Sequence, residues 1–337
     1  MKLNILEHIP QSFFDAEAQD LFEIFGGPTL IELAPHKNQR YIFISILLHG
    51  NETTSFYALK KFLQEETQLN KNLIIFIGNP EACSQNLRHL ETQLDFNRIW
   101  SLEGTNSPEE ALAKKVLSFL KDKDLICSID IHNNSGKNPL YACINELGPN
   151  FIKLGSLFNK RIVYFKKPDE VIAMAMAKIC PSVTLECGIT GKNNDITKFV
   201  SEYIRRVFKY DSIECVEDSY LVKHIYKTYG RIKFKQDTVI DFDYDLDKIS
   251  DFSFRKDIED FNFEEINIGE QIAFARDLEK IEILNDKNKD ITKKVLQVQG
   301  DKVLLKSLII PAMLTKHIQI ANSDVFGYLM KKVRLPI

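Results

Sequence analysis

The chain has 337 residues, which is long enough for two domains of ordinary size. Its hydrophobic share of 44% and charged share of 27% are typical of a folded globular protein, and they exclude a disordered chain or a small disulfide-rich scaffold. The formal net charge is −3, from 44 basic and 47 acidic residues, so the composition does not indicate binding to nucleic acid or to an anionic membrane surface.

The first 210 residues alternate short apolar runs with helical patterns. The apolar runs are rich in Ile, Val and Phe, which predicts strands covered on both faces. They are YIFISILL (41–48), NLIIFIG (72–78), DLICSIDI (124–131), RIVYF (161–165) and PSVTLEC (181–187).

Helices are predicted between and after these strands. Residues 53–66 repeat apolar side chains with helical spacing. Ser107-Pro108-Glu109-Glu110 has the pattern of a capping box with proline at the first helical position, and it predicts a helix through Phe119. The apolar positions between Phe199 and Phe208 predict another helix. Alternating strands and helices predict an α/β domain with a mainly parallel mixed sheet flanked by helices.

Beyond residue 211 the apolar and polar residues tend to alternate, as in KIEIL (280–284) and KVLQVQGDKVLL (294–305). Within the second segment, Gly300-Asp301 has the composition of a hairpin turn between two strands. We therefore predict two domains, residues 1–210 and residues 211–337, of which the second is a smaller antiparallel β domain.

The cysteine pattern and the apolar runs predict a cytoplasmic protein that is not bound to a membrane. The six cysteines show no CxxC pair, and several lie in apolar runs, which is typical of buried free thiols in a reducing compartment. No apolar run reaches the roughly 18–20 residues needed to cross a bilayer. Glu7 and Asp15 interrupt the N-terminal segment where a signal peptide would be apolar.

Polar side chains follow the apolar runs where the predicted strands stop. His49 and Glu52 come after the first run, His132 after the third, and Glu186 near the end of the fifth. The carboxyl ends of parallel strands meet at one edge of a sheet, where ligands of open α/β sheets bind. Two imidazoles and two carboxylates are therefore expected in one cleft.

Two histidines and one carboxylate form a ligand set of catalytic zinc. Glu52 follows His49 by three residues, so a turn of helix would direct both side chains to one point, and His132 is the natural third ligand. The residues alone leave the role of Glu186 open between a structural partner for backbone amides or an arginine and a general base. Asp130 shares a strand face with His132, and it either orients this imidazole or caps a loop.

The order of these motifs resembles the zinc carboxypeptidase superfamily, and within it the succinylglutamate desuccinylase/aspartoacylase branch. The motifs are His49-Gly50-Asn51-Glu52, Asn79-Pro80-Glu81-Ala82, Arg88, Asp95-Phe96-Asn97-Arg98, Asp130-Ile131-His132 and Thr184-Leu185-Glu186. The resemblance implies a carboxypeptidase-like catalytic α/β domain, a β-rich C-terminal domain and one Zn²⁺ per chain. It also implies a zinc-dependent hydrolase that cleaves the amide bond of an N-acyl amino acid, or a similar small carboxylate-bearing amide, with a metal-bound water.

The same resemblance assigns roles to individual residues. It implies that the metal ligands are His49, Glu52 and His132. The implied catalytic residues are Glu186, as general base, and Arg88, as the group that polarises the scissile carbonyl. The substrate carboxylate is implied to be held by Asn97 and Arg98. Arg88 stands ten residues before Arg98, whereas the usual family spacing is eight. Either two residues are inserted between them, or His89 and its neighbours realign the segment.

One departure concerns the substrate. Aspartoacylases carry an arginine about ten residues before the catalytic glutamate, but here that position is Met176, and no arginine occurs in residues 166–186. We therefore expect a smaller or apolar acyl-amino acid, or a peptide with a free carboxylate, against a wall of methionine and alanine. The family also places a tyrosine of the C-terminal domain in the site, for which Tyr226, Tyr229 and Tyr328 are candidates.

Three alternatives stay open on the sequence. The chain is a metallocarboxypeptidase that acts on a peptide, a non-catalytic zinc-binding relative, or a cysteine hydrolase that uses Cys187. The last has little support, because Cys187 follows Glu186 on a strand and the two side chains point to opposite faces. The expected partner is a small molecule or a short peptide, without nucleic acid or membrane, and homo-oligomer formation is left open.

Overall fold

The structure is a computed structural model. It describes residues 1–37, 39–66, 68–101, 107–191, 193–218, 222, 224–245, 250–323 and 325–335. The chain folds into two compact units: residues 1–133 and 140–223 form the first, and residues 134–139 and 224–337 form the second.

The first unit consists of strands and helices in alternation. Its strands are β1 (Asn4–Leu6), β2 (Thr29–Leu33), β3 (Tyr41–Ile46), β4 (Asn72–Ile77), β5 (Leu125–Asn134), β6 (Tyr141–Ile144), β7 (Ile162–Tyr164) and β8 (Ser182–Ile189). Its helices are α1 (Ser12–Asp15), α2 (Leu21–Phe25), α3 (Thr54–Glu65), α4 (Pro80–Ser84), α5 (Pro108–Lys121), α6 (Pro149–Ser156), α7 (Ile172–Met176) and α8 (Asn194–Phe208).

The strands of this unit lie in the order β1-β2-β4-β3-β5-β8-β6-β7. The pairs β1–β2, β3–β4, β3–β5 and β6–β7 are parallel, whereas β2–β4 and β6–β8 are antiparallel. Strand β3 lies between β4 and β5, and β8 lies beside β5. The order places the ends of β3, β5 and β8 side by side, and these are the strand ends at which the sequence has its polar residues.

Apolar burial fixes this sheet. Every residue of β4 and β5 is buried, as the continuous apolar runs predicted. On one side the sheet packs against α5, whose Leu112, Val116 and Leu120 belong to one core cluster with Phe43 and Phe76. Helix α5 begins with the predicted capping box, in which the side chains of Ser107 and Glu110 each accept from the other's backbone N–H.

The second unit is built from strands with little helix. Its strands are β9 (His224–Phe234), β10 (Ile240–Asp241), β11 (Phe252–Phe254), β12 (Gln271–Phe274), β13 (Ile281–Leu284), β14 (Leu296–Gln299), β15 (Lys302–Leu305), β16 (Ile310–Ala312) and β17 (Gly327–Arg334), and its helices are α9 (Thr292–Val295) and α10 (Ile318–Ser323). Strand β9 pairs antiparallel with β13 and β17, and β17 pairs with β16.

The other strands of the second unit form a separate sheet in the order β10-β11-β12-β15-β14. Strands β14 and β15 form an antiparallel hairpin with Gln299 opposite Lys302, and Gly300 in the turn has a φ of 62°. This positive φ favours glycine and explains the predicted turn. The candidate tyrosines Tyr226 and Tyr229 lie on β9, and Tyr328 lies on β17.

The predicted fold class is confirmed: a large, mostly parallel mixed sheet flanked by helices is accompanied by a separate, mainly antiparallel sheet. In the described part of the chain, no helix has both the length and the apolar character that a bilayer crossing requires.

Candidate active site

Four polar side chains at the ends of β3, β5 and β8 are buried in the first unit. His49 lies in the loop after β3, and Glu52 lies just before α3. His132 lies near the end of β5, and Glu186 lies within β8. None of the four is more than 8% exposed, so they form part of the interior and not a solvated rim.

His49, Glu52 and His132 meet around one point. One ligand atom from each residue lies within 4.8 Å of the other two. Glu52 Oε1 is 2.8 Å from His49 Nδ1, and Glu52 Oε2 is 2.7 Å from His132 Nδ1. The backbone N–H of Glu52 donates to the carbonyl of His49 at 3.1 Å, so the two residues face each other across a turn that precedes the helix.

This turn depends on a close approach of two backbones at Gly50. A Cβ atom on Gly50 would lie 2.3 Å from the backbone nitrogen of Cys83 and 2.5 Å from the carbonyl carbon of Ala82, both in α4. Asn79 caps α4 by accepting from the N–H of Ala82. The glycine of the HGNE motif therefore lets the turn that carries His49 and Glu52 pack against the helix of the NPEA motif.

A carboxylate lies within hydrogen-bonding distance of the Nε2 atom of each imidazole. His49 Nε2 is 3.0 Å from Asp95 Oδ1, and His132 Nε2 is 2.8 Å from Asp130 Oδ2. Asp130 also accepts a 2.7 Å hydrogen bond from Ser45 Oγ, which fixes its orientation. A carboxylate behind the distal nitrogen holds an imidazole so that its other nitrogen faces a metal.

The charges in this cluster are strongly coupled. Burial alone would raise the pKa of Glu52, but the charges of His49 and His132 overcome burial and lower this pKa far below its ordinary value. Burial likewise opposes the charged form of His132, yet Asp130 and Glu52 raise its pKa well above the usual value. The two carboxylates therefore favour the charged form of His132 against the effect of its burial.

The donor set fits a zinc ion. Two imidazole nitrogens and a carboxylate are ligands that zinc accepts in catalytic sites, and this set keeps a further position open. Both Nδ1 atoms face the same carboxylate, and the Nε2 atoms are held by Asp95 and Asp130. Within the described residues, this group is the one set of histidine, cysteine and carboxylate side chains with metal-binding geometry.

Arg88 reaches the cluster despite its unusual spacing from Arg98. Its Nε and Nη2 atoms donate to Asp95 Oδ2 at 3.0 and 2.9 Å, and its Nη1 atom is 3.9 Å from Glu52 Oε1. Burial opposes the charge of Asp95, but His49 and Arg88 lower the pKa of this carboxyl well below its usual range. The guanidinium thus places positive charge at the edge of the cluster of His49, Glu52 and His132, called the metal-ligand cluster below.

Asn97 and Arg98 are placed differently from each other. Asn97 is buried, with its Nδ2 atom 3.2 Å from His132 Nε2 and its Oδ1 atom accepting from the backbone N–H of Ile172. Arg98 is half-buried and donates from Nη1 to the carbonyl of Asn97 at 3.0 Å. Asn97 is therefore part of the packed site, whereas Arg98 keeps a partly exposed guanidinium beside it.

Glu186 lies on β8 near two buried thiols, those of Cys143 on β6 and of Cys187 on β8. Strand β8 places it opposite Tyr141 of β6, and burial together with the Glu186 charge raises the pKa of both Cys143 and Cys187 well above the usual value. Cys187 is fully buried. Such a thiol is not ionised near neutral pH, which argues against a cysteine nucleophile at this position.

Two residues of the segment expected to form a wall of methionine and alanine belong to the core of the first unit. Ala175 and Met176 of α7 belong to the core cluster that contains Val116 and Leu120, and Met176 is fully buried. The side chains of Ala175 and Met176 therefore contribute to the core of the first unit. The alternating pattern IAMAMA was apolar for packing reasons.

The contacts of Asp95 with His49 and of Ser45 with Asp130 were not predicted from the sequence. Asp95 was noted as part of the DFNR motif, but its contact with His49 lies between two loops and has no spacing signal. Ser45 offered one signal, because it is the only polar residue of the apolar strand YIFISI. A polar side chain buried in such a strand requires a hydrogen-bond partner, which here is Asp130.

Comparison with known proteins gives matches to one group of enzymes. Residues 38–146 match the family model "Succinylglutamate desuccinylase/Aspartoacylase catalytic domain". A probable aspartoacylase of Acaryochloris marina is 44% identical over 50 residues, which are 14% of this chain and 17% of that protein. A succinylglutamate desuccinylase of Shewanella pealeana is 28% identical over 123 residues, which are 34% of this chain and 36% of that protein.

The chain thus spans about a third or less of the length of these two curated relatives, at 17% and 36%. Among solved structures, the succinylglutamate desuccinylase from Chromobacterium violaceum superimposes with a TM-score of 0.61 at 15% identity, covering 91% of this chain and 89% of that one. This likeness concerns the fold. Together the matches support the succinylglutamate desuccinylase/aspartoacylase branch of the zinc carboxypeptidase-like superfamily, and they confirm the resemblance predicted from the motifs.

Proposed function

We propose that the protein is a zinc-dependent hydrolase that cleaves the amide bond of an N-acyl amino acid or a similar small carboxylate-bearing amide. The observation that carries this proposal is the cluster of His49, Glu52 and His132, whose ligand atoms lie within 4.8 Å of one another. The match of residues 38–146 to the desuccinylase/aspartoacylase catalytic domain supports the reaction class.

The chain's own residues provide the remaining chemistry. When bound, zinc supplies Lewis acidity, which makes water a better nucleophile and polarises a carbonyl group. Glu186 is the general base: its carboxylate accepts a proton from the attacking water and passes it to the departing amine nitrogen. Its burial at 8% exposure keeps bulk water away from this transfer.

The two arginines act on different parts of the substrate. Arg88 Nη1, 3.9 Å from Glu52, offers a donor to the carbonyl oxygen as negative charge develops on it. Arg98 is half-buried, and its planar guanidinium suits a bidentate contact with the substrate carboxylate. Asn97 holds the neighbouring backbone in place through its contacts with His132 and Ile172.

We also propose that this chemistry belongs to a catalytic domain of residues 1–210, with residues 211–337 as a β-rich C-terminal domain. Helix α8 ends at Phe208, and each proposed site residue precedes it in the chain.

A substrate panel tests the proposed function. Zinc-loaded protein is assayed against N-acyl amino acids with neutral and acidic side chains and against short peptides, with the Glu186→Gln variant as the blank. We expect amide hydrolysis of N-acyl amino acids, with N-acetylaspartate among the slower substrates because residues 166–186 contain no arginine for a second carboxylate. Absence of hydrolysis across the panel, or equal rates for the blank, would contradict the proposal.

A further inference from the structure

Asn133, the residue after His132, has a side chain that the proposed mechanism does not use. It is 4% exposed and lies near the end of β5. Its Nδ2 atom is 2.9 Å from Thr54 Oγ1 and 3.1 Å from the carbonyl oxygen of Gly188. An amide nitrogen has two hydrogens, so both of these bonds form at once and join the start of α3 to the end of β8.

The contact with α3 replaces a missing local cap. Thr53 is the N-cap residue of α3, and its side chain makes no capping hydrogen bond. Asn133 Oδ1 accepts at 3.4 Å from the backbone N–H of Thr54, the first residue of α3, which has no partner within the helix. The first turn of α3, which directly follows Glu52, is thus held by a residue 79 positions away in the chain.

The backbone of Asn133 contacts the metal-ligand cluster itself. Its N–H donates to Glu52 Oε2 at 2.9 Å, and the same oxygen is 2.7 Å from His132 Nδ1. Asn133 therefore contacts the Glu52 carboxylate through its backbone and the helix that follows Glu52 through its side chain.

The contact with β8 lies directly after Glu186. Gly188 has a φ of 72°, so the chain turns there, and Asn133 Nδ2 lies between the carbonyl oxygens of Cys187, Gly188 and Ile189 at 3.4, 3.1 and 3.4 Å. Three consecutive carbonyls around one amide fix the end of the strand. These carbonyls belong to the three residues that follow Glu186, so the Asn133 side chain holds the segment of β8 directly after it.

We propose that Asn133 is a positioning residue that fixes the position of Glu52, which lies just before α3, relative to Glu186 on β8. The inference rests on the proposed function, because it assigns Glu52 to the metal and Glu186 to the proton transfer. Without the side-chain amide of Asn133, α3 and the end of β8 could move independently. Both Glu52, the proposed metal ligand, and Glu186, the proposed base, would then be misplaced.

The test compares Asn133→Ala and Thr54→Val with the matched control Ser182→Ala. Ser182 lies on β8, is equally buried and makes one hydrogen bond, to the carbonyl of Ala173, away from the cluster. Zinc affinity is measured by competition with a chelator, without substrate, and kcat and KM are measured at saturating zinc.

We expect Asn133→Ala to weaken zinc binding and to lower kcat by about 10-fold or more each, as for other residues that orient metal ligands. KM should stay within about twofold, because Arg98 is untouched. Thr54→Val removes one of the two amide acceptors and should shift zinc affinity and kcat in the same direction by less. Ser182→Ala should leave both unchanged.

The proposal is overturned if Asn133→Ala keeps zinc affinity and kcat within about twofold of the Ser182→Ala values. If Asn133→Ala does not fold, Thr54→Val decides, and values equal to the control overturn the proposal. If the wild-type protein binds zinc but hydrolyses no amide, the proposed function fails, whereas the zinc affinities still test the role of Asn133.

Discussion

His49 and His132 each use both ring nitrogens. The Nδ1 atoms lie 2.8 and 2.7 Å from Glu52, and the Nε2 atoms lie 3.0 and 2.8 Å from Asp95 and Asp130. A carboxylate at Nε2 keeps the proton on that nitrogen, which leaves the Nδ1 lone pair for a metal. The proposed zinc site therefore depends on Asp95 and Asp130 as well as on the three proposed ligands.

Asp130→Asn tests this dependence. The amide keeps the shape of the side chain but lacks the negative charge that holds the Nε2 proton of His132. We expect zinc affinity to fall by about 10- to 100-fold, measured by chelator competition. The exposed carboxylate of Asp124, which pairs with Arg40, provides the matched control Asp124→Asn. Equal affinities of the two variants would show that Asp130 does not orient the ligand.

Glu186→Gln separates metal binding from proton transfer. Because the variant cannot accept a proton, we expect kcat to fall by about 10²–10⁴-fold. Its zinc content should equal that of the wild type, because the three ligands are unchanged. A variant that loses zinc would make Glu186 a ligand instead of a base, and a variant with wild-type turnover would remove it from the mechanism.

The residue pattern alone predicted the site residues that follow strands, whereas Arg88, Asn97 and Arg98, which lie between α4 and α5, were predicted only through the resemblance of the motifs. Four site residues were predicted to lie close together because parallel strands end at one edge of a sheet. They are His49, Glu52, His132 and Glu186. The position of Asp95 could not be predicted, because no periodicity sets the path of the loop that carries it.

At the scale of elements, the turn between β3 and α3 is the critical one. Gly50 allows this turn to approach the backbone of α4, where a Cβ would lie 2.3 Å from the nitrogen of Cys83. No side-chain rearrangement relieves a contact with backbone atoms, so the elements themselves must separate.

Gly50→Ala should therefore destabilise the protein by about 1–3 kcal/mol or more and weaken zinc binding as well. Thermal or denaturant unfolding measures the first effect, and chelator competition measures the second. The control is Gly148→Ala, whose Cβ would meet the Phe151 ring at 3.4 Å, an ordinary contact. A Gly50→Ala protein as stable as this control would show that the two elements are not in close contact.

Elements with a strong local signal were predictable. The runs at 41–48 and 72–78 became β3 and β4, and the capping box at Ser107 became the start of α5. Strands β2 and β6 were missed. Each is short, at five and four residues, and its place in the sheet is set by pairing with β4 and β8 and not by its own pattern.

At the scale of the whole molecule, burial controls thiol chemistry. Five of the six cysteines are buried, and Cys215 is exposed. Burial raises the pKa of Cys83 and Cys180 to about 12, and it raises that of Cys127 well above the ordinary value. A thiol with a raised pKa is present as thiolate only at alkaline pH, and a buried thiol is also inaccessible to reagents.

A maleimide should therefore label one thiol of the native protein rapidly at a pH of about 8, and six after denaturation. The rapid phase should disappear in Cys215→Ser, which serves as the control. Rapid labelling of Cys187 in the native protein would contradict the burial described here and would reopen the cysteine hydrolase alternative.

Metal content is the most direct test of the account, because each proposed role depends on one ion at His49, Glu52 and His132. The double variant His49→Ala/His132→Ala is compared with the wild type, with Glu186→Gln and with His317→Ala, a control histidine in the second unit. After zinc loading and desalting, elemental analysis should give about one zinc per chain for the wild type, Glu186→Gln and His317→Ala, and almost none for the double variant. Full zinc content in the double variant would contradict the central claim.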